Sequence, residues 1–265
     1  MKKLFLSVSL LLFSAFFCTL QAEDLAGELN NIKGTVMYLQ SGDTEWDTAI
    51  NGLAIGPNDR IRTKPRSSCD IELDDGSMIH VAANSETSVD RLELKEEEHV
   101  SSFKLLFGKV IASISKLKKT KMEIRTPIAV CAVRGTEFAV ETSSSDTNVG
   151  VFEGQVAVVN PDVAQAPGEE TLVNPEQETT VEKGINPRIP AALREAMRQN
   201  RERMAEMRQR VKALRAKLKR VPSADRIKAR FAAKERLQKA RQMRQNQREK
   251  IQDRRRNIRQ KRAPR

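Results

Sequence analysis

The sequence changes character at residues 183–187, between a body that alternates as β-strands do and a strongly basic tail. Residues 23–183 carry 16 Lys and Arg against 28 Asp and Glu, a net charge of −12, whereas residues 184–265 carry 29 against 7, a net charge of +22. The boundary reads Lys183-Gly184-Ile185-Asn186-Pro187, and glycine and proline interrupt regular structure. We therefore predict an acidic domain at 23–183, a linker at 184–190 and a basic tail at 191–265.

The first 22 residues have the layout of a secretory signal peptide, with Lys2 and Lys3 before an apolar run at 4–17. We predict cleavage after Ala22. Two alternatives stay open: a lipoprotein acylated at Cys18, and an uncleaved anchor, although the run is short for ~30 Å of hydrocarbon. No later stretch is apolar enough to span a membrane, so we expect an exported protein of the periplasm or cell envelope without a transmembrane helix after cleavage.

The body reads as nearly all β, because short apolar runs alternate with turn signals and no stretch holds a 3.6-residue period. In residues 69–74 apolar and acidic residues alternate, which predicts a half-buried strand that ends in the hairpin turn Asp75-Gly76. The predicted strands lie at 35–39, 69–74, 78–81, 103–114, 121–126, 128–133, 136–142, 148–152, 155–160 and 178–182.

A short motif, Gly-x-Val, opens three of these segments, at Gly34, Gly108 and Gly154. The spacings of 74 and 46 residues are unequal, which excludes a repeat of fixed period. Glycine commonly precedes a strand after a turn, so the recurrence has a plain explanation. The alternative is a sheet wound by hairpins that uses the same motif at each corner.

The most apolar internal stretch is interrupted by Arg134-Gly135-Thr136. Pro127 removes a backbone donor, which places the start of this stretch at a turn, an edge or a bulge. Gly135 predicts a bulge that lets Val133 and Phe138 both face the core. Arg134 then lies on the outer face, either at a corner that determines the fold or as a contact for a partner.

The body carries a series of short motifs in this order: Gly34-x-Val36, Trp46, Leu53, Gly56, Asp59-x-Ile61-x-Thr63, Asp75-Gly76-Ser77, Leu106-x-Gly108-x-Val110, Thr126-Pro127, Arg134-Gly135-Thr136-Glu137-Phe138 and Glu153-Gly154-x-Val156. The ordered series resembles the FecR domain of bacterial envelope proteins over roughly residues 30–183. One departure is visible, since Gly56-Pro57-Asn58-Asp59 splits the usual Gly-Asp pair.

The resemblance implies an all-β FecR-like domain followed by a long basic α-helical tail. The best-known members pass an envelope signal through a membrane helix to a cytoplasmic sigma factor. This chain resembles the exported, stand-alone branch without those segments, whose members act as binding or scaffolding modules. The residues that we expect to determine the fold or to contact a partner are Gly76, Thr126, Pro127, Arg134, Gly135, Thr136, Phe138 and Gly154.

The tail carries a heptad seam, which is the pattern of a coiled-coil face. Its polar member, Asn200, occupies a position where a buried polar side chain sets register. Residues 221–225 break the helix and offer Ser223 as the cap of a second helix, at about 224–258, that either folds back as a hairpin or projects. The seam positions are Leu193, Met197, Asn200, Met204, Met207, Val211, Leu214, Leu218 and Val221.

The charge of the tail favours an anionic partner. Nucleic acid is disfavoured, because the signal peptide directs the chain out of the cytosol and Phe231 is the only aromatic residue of the tail. An envelope protein, an anionic lipid or glycopolymer of the envelope, and a second copy of the chain through the heptad seam remain as partners. A solvated spacer is the alternative without a partner, and contact with the acidic body of the same chain is left open.

No catalytic, metal or cofactor motif is present in the sequence. His80 and His99 each stand alone, so zinc-type spacing is lacking. Cys69 and Cys131 either form a disulfide, which an exported compartment permits, or serve as small apolar core residues. We expect a non-enzymatic binding or scaffold protein of the envelope. The alternative is an accessory that relays a signal from a receptor to a sigma-factor regulator.

Overall fold

The computed structural model describes residues 27–94, 99–116, 120–163 and 170–262. The predicted signal peptide and the acidic run at 96–98 lie outside these residues. The described strands are β1 (Gly27–Lys33), β2 (Val36–Leu39), β3 (Asp47–Thr48), β4 (Leu53–Ile55), β5 (Arg60–Thr63), β6 (Ser68–Leu73), β7 (Met78–Val81), β8 (Glu86–Leu94), β9 (His99–Ser113), β10 (Thr120–Arg125), β11 (Val130–Val133), β12 (Glu137–Thr142), β13 (Asp146–Glu153), β14 (Val156–Val159), β15 (Thr171–Val173), β16 (Gln177–Glu182) and β17 (Ala191–Ala192).

The strands form a sandwich of two sheets that share β9. Sheet A has the order β4-β1-β6-β7-β9-β12-β13-β16-β17, with every pair antiparallel. Sheet B has the order β3-β2-β5-β8-β9-β10-β11-β14-β15, in which only β9 and β10 run parallel. The inner faces of both sheets supply one continuous apolar core, with Ile71 and Val140 from sheet A and Ile61 and Phe103 from sheet B.

Strand β9 passes from sheet B to sheet A at Gly108, which has φ +93°. Residues 99–107 pair with β8, and residues 108–113 pair with β12. A Cβ at Gly108 would lie 2.6 Å from the Cα of Ser85, so a larger residue does not fit. The Ser85 hydroxyl accepts a hydrogen bond from the backbone N–H of Lys109 at 2.9 Å.

The other two Gly-x-Val sites have the same arrangement of a glycine with positive φ beside a hydroxyl residue. Gly34 and Gly154 have φ +70° and +82°, and each lies against a hydroxyl residue of a neighbouring corner. At Gly34 the Ser67 hydroxyl accepts from the next backbone N–H at 2.9 Å. At Gly154 the Thr136 hydroxyl donates to the carbonyl of the next residue at 3.0 Å. Of the two explanations that the sequence left open, these contacts support one motif used at each corner.

The tail consists of helices α1 (Glu195–Arg198), α2 (Asn200–Arg220) and α3 (Ser223–Arg262). Helix α2 packs on the outer face of sheet A. Helix α3 contacts β4 of sheet A and pairs with Asp47 of β3 in sheet B, so it covers the edge at which both sheets end. Its Leu237 joins the main core. None of the described helices has an apolar stretch long enough to cross a bilayer.

Two predictions about the tail need correction. Ala191 and Ala192 pair with Glu178 and Gln177, so the sheet extends past the predicted linker and the helices begin at Glu195. The heptad seam does not pair with another helix in the described chain. It packs on sheet A, because the outer face of that sheet is itself apolar where α2 lies. The nearly all-β body and the helical tail are both confirmed.

Candidate interaction surfaces

Thr126 and Pro127 form the turn between β10 and β11, as predicted. The Thr126 hydroxyl accepts hydrogen bonds from the backbone N–H groups of Ile128 and Ala129, at 3.2 and 2.8 Å. It also bonds the hydroxyl of Thr147 at 2.9 Å inside the protein. These contacts are local and buried, so the structure places Thr126 in the scaffold rather than on a binding surface.

Gly135 lies at the corner where the chain passes from β11 in sheet B to β12 in sheet A, with φ +62°. Val133 and Phe138 are both buried, as the sequence predicted. The register irregularity lies next to this corner, between Glu137 and Phe138. The predicted bulge is therefore a change of sheet with an irregular first pair. Gly76, at φ +81°, forms the β6–β7 turn and accepts a hydrogen bond on its carbonyl from Arg215 of α2 at 3.3 Å.

The seam of the tail forms a second, smaller apolar cluster with sheet A. Seven of its nine positions are buried, and Leu218 and Val221 are half-buried. Met197 packs over Gly150, where a Cβ would lie 2.3 Å from the Met197 Cγ. Sequence reasoning found this stripe but not its partner. The sheet residues that it contacts are Met78, Ile111, Ala139 and Phe152.

Helix α2 also pairs its cations with buried carboxylates of sheet A. The Arg210 Nε donates to Asp70 Oδ2 at 2.7 Å, and the Nδ1 of His80 lies 2.7 Å from Asp70 Oδ1. Burial alone would raise the pKa of Asp70, but the hydrogen bond and charge of His80 and the charge of Arg210 hold that pKa below its usual value. Arg208 pairs in the same way with Glu137, at 2.5 Å.

Helix α3 inserts a cation that is more deeply buried. Arg230 is 2% exposed and donates to both carboxylate oxygens of Asp74, at 2.9 and 2.8 Å, and to Glu28 at 3.2 Å. Lys217 of α2 reaches the same Glu28 at 2.6 Å. Burial raises the pKa of Glu28, but the Lys217 hydrogen bond and the two positive charges outweigh it and lower that pKa. One carboxylate therefore joins both tail helices to β1.

The last ion pairs between α3 and the body lie at the loop before β3. Arg241 donates to Asp43 at 2.9 Å and to Asp47 at 2.7 Å, and Arg244 reaches Asp47 at 3.0 Å. Much of the charge contrast between body and tail is therefore neutralised within the chain. This answers the question of tail contact that the sequence left open.

The outer face of sheet B is left uncovered, and it carries a groove of about 520 Å³. Its floor is a cross-strand row of five neighbours that begins at Ser102 on β9 and ends at Leu172 on β15. Arg134 lies in the wall of this groove, exposed, next to the corner that Gly135 forms. The floor row is Ser102, Glu123, Ala132, Ala157 and Leu172.

The charged residues in the lining of this groove are mainly cations. Arg91 pairs with Glu93 at 2.8 Å, and Arg125 pairs with Glu123, two residues before it on the same strand. Within the described residues Arg134 has no acidic partner. The lining contains one carboxylate, Glu123, and four cations, on a body whose net charge is −12. The cations are Arg91, Lys121, Arg125 and Arg134. The groove is therefore a positive site on a negative domain.

The same open face carries an aromatic residue near its other end. Trp46 lies under the guanidinium groups of Arg62 and Arg60, at 4.4 and 5.5 Å from the ring centroid. Both arginines also donate to Glu86, which is buried, with the Arg62 contact at 2.5 Å. The arginines are held between a ring face and a carboxylate, which fixes them on the surface.

The described residues contain no group of three or more His, Cys, Asp or Glu side chains that could hold a metal ion. Cys69 and Cys131 are both free, so the disulfide alternative is wrong, and burial raises the pKa of each thiol to about 12. The Asp70–His80 pair was missed from the sequence. The signal was the hairpin register, since residues 70 and 80 are equidistant from Asp75 in the turn.

Comparison with known proteins identifies part of the body. Residues 59–157 match the family model of the FecR protein. Two crystal structures described as those of a candidate anti-sigma factor from Parabacteroides distasonis ATCC 8503 share 17% and 18% identity, with TM-scores of 0.41 and 0.40. Each alignment covers 50% of this chain and 59% of the other chain. No curated protein matches the chain.

The matched range begins at β5 and ends within β14, so it holds the shared strand β9 and the corners at Gly108, Gly135 and Gly154. The motifs at Gly34, Trp46 and Leu53 lie before it. The range includes most of the groove lining but not the tail. Residues 59–157 therefore match the FecR family, and this range is the central part of the β body.

Proposed function

We propose that the protein is an exported, non-enzymatic binding protein of the periplasm or cell envelope, and that it binds an acidic partner in the groove of sheet B. The observation that carries this proposal is that the tail covers the outer face of one sheet of the sandwich but not that of the other. Sheet A is closed by the tail of the same chain, whereas sheet B presents a groove with cationic walls.

Charge supports an acidic partner over a basic or neutral one. The lining of the groove holds four cations and one carboxylate, so its potential is positive, and an acidic chain would be drawn to it. Three small side chains in the floor, Ser102, Ala132 and Ala157, leave room for an extended segment. The guanidinium groups of the walls suit carboxylates, which they bind through two hydrogen bonds. An acidic envelope protein or a carboxylate-bearing polymer has this chemistry.

A charge reversal in the groove tests the proposal. The probe is fluorescent poly-L-glutamate, and the variant is Arg134→Glu in the chain that begins at Glu23. The matched control is Lys64→Glu, which makes the same change of charge at an exposed position outside the groove. We expect Arg134→Glu to weaken binding roughly fivefold or more relative to the control. Equal binding by the two variants would contradict a groove site, because the tail is identical in both.

The FecR domain favours a second candidate, an accessory in envelope signal transduction. In this role the groove receives a segment of a receptor, and a separate regulator reads the occupied state. The two candidates differ in the effect of Arg134→Glu in cells. A signalling accessory with this change loses sigma-factor-dependent transcription, whereas a binding protein loses retention by the envelope and leaves transcription unchanged.

A further inference from the structure

A cleft of about 440 Å³ lies between helix α2 and the part of the body formed by β1, the β5–β6 turn and β7. It is on the side of the sandwich that the tail covers, and it shares no lining residue with the groove of sheet B. Its volume is in the range of pockets that hold small molecules. Among its described lining residues Ala83 alone is apolar, so a ligand of this cleft must be polar.

A buried imidazole with one unused nitrogen lines the cleft. His80 is 8% exposed, and its Nδ1 is bound to Asp70, which also accepts from Asn31 at 2.9 Å and from Arg210 at 2.7 Å. Because the Asp70 carboxylate only accepts hydrogen bonds, the proton of the neutral ring is on Nδ1 and Nε2 has a lone pair. Within the described residues Nε2 has no hydrogen-bond partner and is not enclosed. It can therefore accept from an N–H group in the cleft.

The two walls of the cleft carry unpaired charges of opposite sign. On the body side, Lys33 and Arg66 are exposed and have no acidic partner in the part of the chain that the structure describes. On α2, Glu202 and Glu206 are one helical turn apart, and neither pairs with a described cation. Arg203 lies in the same helix wall, which leaves one excess carboxylate among its unpaired groups. Both walls therefore offer charge to a ligand.

This arrangement suits a zwitterion better than a simple anion. Lys33 and Arg66 attract an anion, but the two glutamates opposite repel it. A ligand with a carboxylate at one end and an ammonium group at the other satisfies both walls, and its N–H groups can donate to the Nε2 of His80. Short peptides with free ends have this chemistry. The polar lining favours small side chains on such a peptide.

We propose that this cleft binds a short peptide with free amino and carboxyl ends. Its carboxylate lies on the body wall, and its ammonium group lies on the helix wall. The bound peptide bridges α2 and the body, so it stabilises the docked tail. This site does not depend on the groove of sheet B, so the proposed function can fail while this inference stands, and the reverse.

Calorimetric titration of the chain that begins at Glu23 with three related peptides tests the proposal. Trialanine carries both charges, N-acetyl-trialanine carries only the carboxylate, and trialanine amide carries only the ammonium group. We expect trialanine to bind at least about tenfold more tightly than either capped peptide, because each cap removes the ionic contact with one wall. Trialanine should also raise the melting temperature, because it binds the folded chain.

Two variants assign the ends of the peptide to the walls. Glu206→Gln should weaken trialanine binding roughly fivefold or more and change N-acetyl-trialanine binding little. Arg66→Gln should weaken trialanine binding to a similar extent and change binding of the amide little. The matched controls, Glu195→Gln and Arg236→Gln, remove the same charges at exposed positions outside the cleft and should bind as wild type does. Thermal unfolding of each variant checks that a loss of binding is not a loss of fold.

Three outcomes would overturn the proposal. Equal or tighter binding of N-acetyl-trialanine or of inorganic phosphate would make the cleft a site for anions. Equal binding of trialanine amide would show that the carboxylate is not recognised. Absence of trialanine binding at millimolar concentration would show that the cleft does not take a peptide of this kind.

Discussion

At the scale of single residues, three glycines and three hydroxyls explain how one chain builds two sheets. Gly34, Gly108 and Gly154 each have positive φ and begin a Gly-x-Val motif, and a Ser or Thr from a neighbouring corner bonds the backbone of the next residue. A side chain on the glycine would displace that hydroxyl residue. The sequence revealed the recurring glycine, but its hydroxyl partners are 18 to 33 residues away and carry no local signal.

Gly108→Ala is expected to destabilise the protein strongly. The new Cβ would approach the Cα of Ser85 to 2.6 Å at φ +93°, so both backbone strain and a backbone clash arise. Gly42→Ala is the control, because Gly42 has φ +82° but no atom within 4 Å of a new Cβ. We predict a loss of about 1–2 kcal/mol for the control and more than about 3 kcal/mol at Gly108, measured by urea unfolding. Equal losses would show that the clash is absent.

Arg230→Ala is expected to reduce the free energy of unfolding by about 3 kcal/mol, because Glu28 and Asp74 would lose a partner in a buried position. Arg236→Ala serves as the control on the same helix, since Arg236 is exposed, and its effect should stay within about 0.5 kcal/mol. Chemical denaturation measures both values. A small effect at Arg230 would mean that α3 does not dock as described.

At the scale of elements, the heptad seam illustrates what periodicity cannot decide. A stripe with steps of three and four fits a partner helix and a flat apolar sheet almost equally over five turns. The deciding residues lie on the sheet, where Ile111, Ala139 and Gly150 face outward without charge. They are scattered over three strands, so only the strand register brings them together.

Met207→Lys is expected to release α2 from sheet A, because it places a charge in the apolar cluster. Ala205→Lys, at an exposed position two residues away, is the control and should change stability by no more than about 0.5 kcal/mol. Thermal unfolding should report a large loss for Met207→Lys only. If the variant instead unfolds normally but changes its sedimentation, the seam serves an assembly rather than the sheet.

Strand prediction succeeded where apolar and polar residues alternate regularly. It failed where polar side chains or a register shift interrupt that alternation. β1 was missed because its sequence, Gly27–Lys33, is polar; Asn30 and Asn31 bond Glu72 and Asp70 of the neighbouring strand. β8 was missed because a register shift between Val89 and Arg91 interrupts its alternation. In both strands the pairing partner supplies the stabilisation, and a single-strand pattern does not contain it.

At the scale of the whole molecule, the acidic body and the basic tail form an intramolecular interface. The sequence predicted an acidic body and a basic tail correctly as compositions. It could not say that Arg210 and Arg230 would find Asp70 and Asp74, because these pairs are 140 and 156 residues apart. The groove was equally hidden, since its floor row comes from five strands and only Arg134 had been singled out.

The interface makes stability depend on pH in the acid range. The pKa values of Asp70 and Glu28 are lowered by their cationic partners, so both contribute stability that is fully present above the unfolded pKa of about 4 and lost as pH falls through the folded value. We predict that the melting temperature falls between about pH 5 and pH 3. Asp70→Asn should melt lower at pH 7 but lose less on acidification, whereas Asp225→Asn, at an exposed site, should lose as much as wild type.

Amide hydrogen exchange of the chain that begins at Glu23, measured over a hundredfold range of protein concentration, tests directly whether the tail docks on its own body. Intramolecular docking predicts that amides of Asn200–Arg220 exchange as slowly as those of β9 and that dilution does not change their rates. Exchange within seconds would show an undocked helix, and protection that disappears on dilution would show pairing between copies. Either result would contradict a tail held by sheet A.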